Sequence, residues 1–324
     1  MKNILVTGGA GYIGSHAVVE LLDSGYDVIV LDNLENGYIE LVDKRAKFYK
    51  GDIRDISTFE NIFIENKIDA VMNFAGYIKV GESVEEPNKY YLNNTYGVMN
   101  IIEVMKKYSV KNIIFSSTAA VYGEVNCEGL VYEDYPTNPI NPYGSSKLMA
   151  ERVIIDAAKA FSLNYSIFRY FNVGGAHEKY KIGQKGDGVT ALIPIILQAA
   201  KGEREKLSIY GNDYPTSDGT GIRDYIHVVD LVRAHIAALP SLKENISGIY
   251  NLGNGTGFSV LEMLNAAKKV TEIDIKSEVI ERRVGDPASV VASSEKARAI
   301  LGWKPEYTDV SKIIETAWNW YKSL

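Results

Sequence analysis

The chain has 324 residues, 46% of them hydrophobic and 23% charged, with a formal net charge of −6. That length exceeds one small core and suits two domains, and the charged fraction is ordinary for a folded chain. The negative balance argues against nucleic-acid or anionic-membrane binding by bulk electrostatics, and no apolar run approaches the roughly 20 residues that span a bilayer.

The single cysteine, Cys127, cannot close an internal disulfide and suits a reducing compartment. The opening MKNILVTGG reads as a strand that meets glycine at once, without the longer apolar stretch and cleavage site of a signal peptide. The expectation is a soluble cytoplasmic protein.

In chain order, Asn3–Thr7 reads as a buried strand, Ile13–Leu22 as a helix and Asp27–Leu31 as a second strand followed by the acidic Asp32. A third strand precedes Asp52. Runs of similar length and β-branched content recur at Ala70–Phe74, Asn112–Ser116 and Tyr165–Tyr170, separated by helical stretches at Thr58–Asn66, Asn94–Lys107 and Ser145–Ala160. Strand, helix, strand in this rhythm means parallel βαβ units, whose crossover helices cover both sheet faces. The predicted fold class is therefore α/β, a Rossmann-like doubly wound parallel sheet with a smaller C-terminal substrate domain. The texture changes after Val173: Gly174–Gly188 is rich in Gly and Lys, and Gly211–Gly221 is full of turn residues. A division near residue 175 is expected, 1–175 for the cofactor and 176–324 for the substrate. A later return to the first sheet is expected near 225–255, at the strand-like Ile249–Leu252.

Gly8, Gly11 and Gly14 form G-x-x-G-x-x-G between the first strand and the first helix. The first glycine permits a tight turn, the second lets backbone approach a pyrophosphate, and the third allows close helix–strand packing beside free helix N–H groups. A plain glycine turn would share the trio; its place at the first βα junction favours a dinucleotide. Asp32 lies 18 residues beyond Gly14, where a carboxylate accepts from a ribose 2′-OH and repels a 2′-phosphate. No Arg or Lys follows within Asn33–Gly37, so NAD is favoured over NADP. A capping Asp in a loop is the alternative. Asp52 and Ile53 follow the third strand, where an acid and an aliphatic could meet an adenine edge and face.

Tyr143 and Lys147 form Tyr-x-x-x-Lys at a helix start marked by Pro142, which places them on one helical face. A neighbouring Lys and a positive nicotinamide ring should both lower the phenol pKa, so that phenolate takes the proton of a substrate hydroxyl during hydride transfer. A solvated i,i+4 pair is the competing account. The strand ending Phe115-Ser116-Ser117-Thr118 reaches the ligand crevice of such a sheet, where the Thr118 hydroxyl could bond the reacting oxygen; it could also be an ordinary polar strand end.

GGAGYIGSH, the Ser-Ser-Thr strand end with VYG, then YGSSK and RYFN together resemble the extended short-chain dehydrogenase/reductase superfamily. VGES at Val80–Ser83, YYLNN at Tyr90–Asn94, GTGIRDYIHV at Gly219–Val228 and YNLGNG at Tyr250–Gly255 are similar to its UDP-glucose 4-epimerase branch. The resemblance covers essentially the whole chain. It implies reversible C4 epimerisation of a UDP-hexose through a 4-keto sugar, with tightly bound NAD and no net redox. Tyr143 would be the acid/base, Lys147 its electrostatic partner and Thr118 the group that orients O4. Gly8, Gly11, Tyr12, Ile13, Gly14, Asp32, Asn33, Asn36, Asp52, Ile53, Phe74, Ala75, Asn93 and Phe171, with Tyr143 and Lys147, would hold NAD. Asn172, Tyr210, Arg223, Arg283 and Asp286, with Thr118 and Tyr143, would hold the UDP-sugar. The arginines can fork onto diphosphate oxygens, Tyr210 can stack on uracil, and Asp286 can accept a hydroxyl.

The chain departs from the pattern in places. Where some members carry Lys after the phenylalanine of the FAG segment, this chain has Ile78 with Lys79 next to it; Ala191 replaces a larger polar residue near the diphosphate. Val290 stands at a wall position where some members carry Tyr, and a smaller wall could admit an N-acetyl group. A nucleotide-sugar 4,6-dehydratase would often place Asp-Glu after the Thr where this chain has Ala119-Ala120. A dehydrogenase with exchangeable NAD and a non-catalytic NAD-sensing scaffold are the other readings. The resemblance also implies a homodimer contacting through helices of the first domain. No metal is expected, since His16, His177, His227 and His235 lack ligand spacing.

Overall fold

The short aliphatic runs of the first half form the strands of a buried parallel sheet. The computed structural model describes residues 1–125, 129–186, 190–283 and 286–324, so Cys127 and Gly188 lie outside the described residues. The first six strands are β1 (Asn3–Thr7), β2 (Asp27–Asp32), β3 (Lys47–Lys50), β4 (Ala70–Asn73), β5 (Asn112–Thr118) and β6 (Asn164–Tyr170). After them come β7 (Asn172–Gly174), β8 (Leu207–Tyr210), β9 (Ile222–His227), β10 (Gly248–Leu252), β11 (Gly257–Ser259), β12 (Ser277–Ile280) and β13 (Ser289–Val290).

The large sheet runs β10-β6-β5-β4-β1-β2-β3, with every neighbouring pair parallel. Its two-residue period sorts the strands between two cores. Ile4, Val6, Val28, Val30, Ala70 and Met72 face the layer containing the helices Tyr12–Asp23 and Val228–Lys243. Leu5, Ile29, Leu31, Val71, Ile113 and Phe115 face the layer of the helices Ile56–Glu65, Gly97–Lys107 and Pro142–Phe161. Both faces are covered, which is why these strands read as continuous apolar runs. From β1 the chain builds outward to β3, then crosses to β4 and builds the other way. The loops after β1 and β4 therefore diverge, and a crevice opens at the C-terminal edge between them.

Expected and observed elements differ in one instructive place. The stretch predicted as a helix over Asn94–Lys107 is α-helical only from Gly97; Tyr91–Tyr96 forms a π-helical turn. That wider turn accompanies the buried Asn93 and Asn94. The Asn94 side chain takes the Tyr77 N–H at 2.9 Å and donates to the Tyr77 carbonyl at 3.0 Å and to Ser146 Oγ at 3.1 Å. Helical hydrophobic periodicity carries no signal for such a bulge.

Beyond residue 175 the helix Val228–Lys243 and β10 belong to the large sheet's core, while other elements pack around a separate apolar cluster that includes Ile193, Leu197, Ile209, Tyr225, Leu264, Ile313 and Trp318. There β9 pairs with β7, β11 and β13, while β8 pairs with β12. Ile249–Leu252 lies within β10, which returns to the edge of the large sheet beside β6. Among the described residues no helix is long and apolar enough to cross a membrane, and no group of three or more His, Cys, Asp or Glu is placed to hold a metal ion.

Candidate active site

The glycine loop shows three different spatial demands. Gly8 has φ +73°, and a Cβ on it would lie 2.5 Å from the Ala75 nitrogen, so the β1 turn is pressed against the loop after β4. A Cβ on Gly14 would sit 2.1 Å from the Gly8 oxygen, because the helix start abuts the turn. Gly11 is freer, since a Cβ there meets only the Gly8 oxygen at 3.3 Å. It is the N-cap of the helix Tyr12–Asp23 and supplies no side-chain cap. Backbone close to open space, with helix N–H groups left for an anion, fits a dinucleotide pyrophosphate. Ile13 packs beneath against the core, and the Tyr12 hydroxyl donates to the Gly175 carbonyl at 2.6 Å, tying the loop to the second half of the chain.

Asp32 ends β2 and is buried, and burial pushes its carboxyl upward. It accepts from the Ala10 N–H at 3.0 Å and the Leu34 N–H at 2.8 Å, so it orders its own loop. Each oxygen keeps a lone pair for a further donor. The Asn33 amide donates to Asp52 at 2.9 Å. Arg54 grips the same carboxylate at 2.8 and 2.6 Å and holds its pKa down to about 2. Asp52 is thus already paired, and Ile53 is buried in the core that contains Val98, with its carbonyl accepting from Asn100 at 3.1 Å. Asp52 and Ile53, expected as an acid and an aliphatic that could meet an adenine edge and face, thus have partners of their own here, Arg54 on the carboxylate and the core around the aliphatic side chain. Asn36 is exposed; Asn93 is buried, its amide donating to Asn94 at 3.1 Å. Phe74 packs on His235 with centroids 5.0 Å apart, and Ala75 lies against Gly8.

The helix Pro142–Phe161 begins with Asn141 accepting the Gly144 N–H at 2.9 Å and Pro142 in its first turn. This start aims Tyr143 and, one turn later, Lys147 at the end of β5. The Thr118 side chain stands beside the Tyr143 phenol, where it favours the ionised form, and Thr118 Oγ1 accepts from the Ala120 N–H at 3.1 Å. Lys147 is 3% exposed; its Nζ donates to the Ser116 carbonyl at 2.9 Å and lies 5.0 Å from the Phe115 ring centre. A Cβ on Gly76 would come within 2.9 Å of that Nζ, so the loop after β4 also leaves room for the ammonium. Burial presses the Lys147 pKa down to about 8 against the opposing attraction of Glu151. The expected lowering of the Tyr143 pKa does not appear in the protein alone. Burial raises it, and the Thr118 side chain opposes only part of that. Ionising this phenol requires a further positive charge in the crevice.

Several residues behind this trio went unnoticed in the sequence. Glu151, one turn beyond Lys147, receives Arg169 of β6 at 3.1 and 2.7 Å and the Ser117 hydroxyl. Arg169 also donates to the Tyr122 hydroxyl at 3.0 Å, which donates to Asn251 of β10 at 2.7 Å. The i+4 continuation of Tyr-x-x-x-Lys to Glu151 was the available signal; its partner Arg169 had none.

The expected nucleotide-sugar residues sit on the second half. Asn172 opens β7 and is exposed, next to the buried Phe171. Arg223 of β9 donates to the Asp286 carboxylate and, at 2.7 Å, to the Ile222 carbonyl. The Arg283 guanidinium carbon lies 3.8 Å from the Tyr210 ring centre. Asp286, expected as an acceptor for a hydroxyl, and Tyr210, expected to stack on uracil, each contact one of the chain's own arginines here. Val290 pairs in register with Arg223 and packs on the cluster containing Val121, Tyr122 and Phe171. Ala191 caps the helix Leu192–Ala200 and is exposed, as are Ile78 and Lys79.

The model of the NAD dependent epimerase/dehydratase family matches residues 4–253. The chain belongs to this family. It is 52% identical over 99% of its length to a UDP-glucose 4-epimerase of Lacticaseibacillus casei, 97% of which is covered. Its fold matches a UDP-glucose 4-epimerase of Bifidobacterium longum solved with NAD+ and UDP, with a TM-score of 0.92, 42% identity and coverage of 99% of this chain and 98% of that one. A UDP-Glc/GlcNAc 4-epimerase of Campylobacter jejuni matches with a TM-score of 0.89 and 44% identity over 100% of both chains. These relatives put a nucleotide-sugar epimerase, rather than a dehydratase or a scaffold, nearest to the chain's overall pattern.

Proposed function

We propose that the chain is a UDP-glucose 4-epimerase that interconverts UDP-glucose and UDP-galactose on a tightly held NAD, serving galactose metabolism in the cytoplasm. The observation that carries this reading is Tyr143 and the buried Lys147 one helical turn apart, with the Lys147 Nζ on the Ser116 carbonyl at the end of β5 beside Thr118. Bound NAD would supply the hydride acceptor, taking hydride from C4 to leave a 4-keto sugar and returning it to the opposite face.

The chain's own residues do the rest. Thr118 directs the sugar O4 at Tyr143, and Tyr143 takes the O4 proton and later gives it back. Lys147 stabilises the phenolate. Gly8, Gly11, Gly14, Tyr12 and Ile13 form the pyrophosphate seat, Asp32, Asn33 and Asn36 the ribose side, and Asp52, Ile53, Phe74, Ala75, Asn93 and Phe171 the remaining cofactor wall. Arg223 and Arg283 leave Asp286 and Tyr210 to fork onto the UDP diphosphate, which frees Tyr210 to stack on uracil and Asp286 to accept a hydroxyl. Asn172 lies at the mouth of the same site. Strong contacts on the nucleotide leave the hexose free to turn. We assign residues 1–175 and the return through β10 to the cofactor, and the remainder of 176–324 to the nucleotide sugar.

Incubation with UDP-galactose and UDP-N-acetylgalactosamine in parallel, without added reductant, tests the reading. UDP-glucose is the expected product of the first, and the small Val290 wall favours conversion of the second. A 4-keto-6-deoxy product or accumulation of free NADH would overturn the assignment. Tyr143→Phe should lose roughly 100- to 10,000-fold in kcat; near-native turnover would remove Tyr143 as the base.

A homodimer is supported by the exposed apolar strip of Leu92, Tyr96, Met99 and Met149 on the helices of the first half. A monomeric mass in solution at micromolar concentration would refute it.

A further inference from the structure

The loops after β2 and β4 flank the glycine loop after β1, because β2 and β4 are the two neighbours of β1. A bond between those outer loops must cross the mouth of the crevice. One exists. The Tyr77 hydroxyl, from the loop after β4, donates to the carboxylate of Glu35, from the loop after β2, with its oxygens at 2.8 and 2.6 Å. The strip continues away from the crevice. Arg54 Nη2 lies 3.7 Å from Glu35 Oε2 and grips Asp52, and Asp52 accepts from Asn33. The C-terminal edges of β4, β2 and β3 are thereby tied by one run of side chains that passes over β1.

The two ends of the bond differ in character. Tyr77 is a fixed post: it is 8% exposed, Asn94 holds both its N–H and its carbonyl, and its ring lies 5.7 Å from that of Tyr90. The Lys89 ammonium lies 4.4 Å from the same ring. Glu35 is exposed and free of such packing, with Arg54 as its only charged partner among the described residues. A fixed donor on one bank and a releasable acceptor on the other make a latch.

We propose that the Tyr77–Glu35 hydrogen bond closes over the pyrophosphate arm of NAD and makes release of the cofactor slow compared with turnover. This rests on the NAD-binding reading of the glycine loop. The need for such a device follows from the proposed chemistry, in which cofactor released between the two halves of the reaction would strand a keto sugar. Tyr77 and Glu35 act here as positioning residues, since neither is required to touch the reacting atoms.

The test is the rate at which NAD leaves the loaded protein when it is diluted into a solution containing an enzyme that consumes free NAD. Tyr77→Phe and Glu35→Ala should each speed release by roughly 10-fold, the value of one hydrogen bond to a charged group. The double variant should release NAD no faster than the singles, because both remove the same bond. Glu35→Asp, which keeps a carboxylate acceptor, should recover part of the slow release. Release at the wild-type rate in both single variants, or effects that add in the double variant, would overturn the latch alone. A wild-type chain that binds no NAD at all would overturn the cofactor reading together with the latch.

Discussion

The two banks of the site are built on opposite principles. On the cofactor side the functional groups gather at the ends of the parallel strands and are held by backbone groups and other side chains: Lys147 of the helix Pro142–Phe161 by the Ser116 carbonyl, Asp32 by two N–H groups, Asp52 by Arg54. On the nucleotide-sugar side they sit on short strands and connecting segments, and the charged and aromatic groups close on one another, Arg223 on Asp286 and Arg283 on Tyr210. The first bank is preorganised, and on the proposed reading the second would exchange internal partners for ligand. That contrast suits a reaction in which the hydride and proton positions are fixed while the sugar has to turn.

The comparison breaks most decisively at Arg169. It is paired with Glu151 with both side chains almost fully buried, and it braces the helix that carries Tyr143 and Lys147. Arg169→Met should destabilise the protein by about 3–5 kcal/mol by stranding the Glu151 charge. Urea unfolding measures this, and a loss below about 1 kcal/mol would show that the cofactor bank is not rigidly held. On the other bank, Arg223→Met should raise KM for the UDP-sugar by roughly 10- to 100-fold, the value of a charge-assisted hydrogen bond, while the melting temperature stays nearly constant. An equal fall in stability would erase the distinction between the banks.

The smallest effect is a pH dependence. Lys147 titrates near 8, so in the NAD-free protein the penalty for burying its charge is fully present below pH 8. Because the folded pKa lies below the unfolded one, the unfolded chain binds more protons between about 8 and the usual lysine value of 10.5, and this residue's contribution to stability rises with pH across that window. Activity should move the other way, falling above pH 8 as the ammonium that supports the Tyr143 phenolate is lost. Glu151→Gln removes the charge that holds the Lys147 pKa up and should shift this alkaline limb of kcat to lower pH. A limb that stays in place would separate Lys147 from the rate.

Local pattern was legible from the chain itself. Strand runs, crossover helices and the glycine trio each express a short-range requirement: two buried faces for a parallel strand, a left-handed φ at Gly8, a missing Cβ at Gly14. Tyr143 and Lys147 were legible for the same reason, because four residues make one helical turn. Their approach to Thr118 could be read only through the rule that strand ends of such a sheet face the crevice.

Short-range pattern therefore carries the sheet, its glycine loop and the shared helical face of Tyr143 and Lys147. The tertiary structure decided who partners whom. Glu151 with Arg169, Tyr77 with Glu35 and Arg223 with Asp286 are joined across 18, 42 and 63 residues. Each pairing depends on how strands are ordered and how far loops reach, and neither quantity is encoded in the spacing of the two residues. It also decided that Asp52 and Asp286 begin with partners of their own, and that burial alone sets the Tyr143 phenol against ionisation.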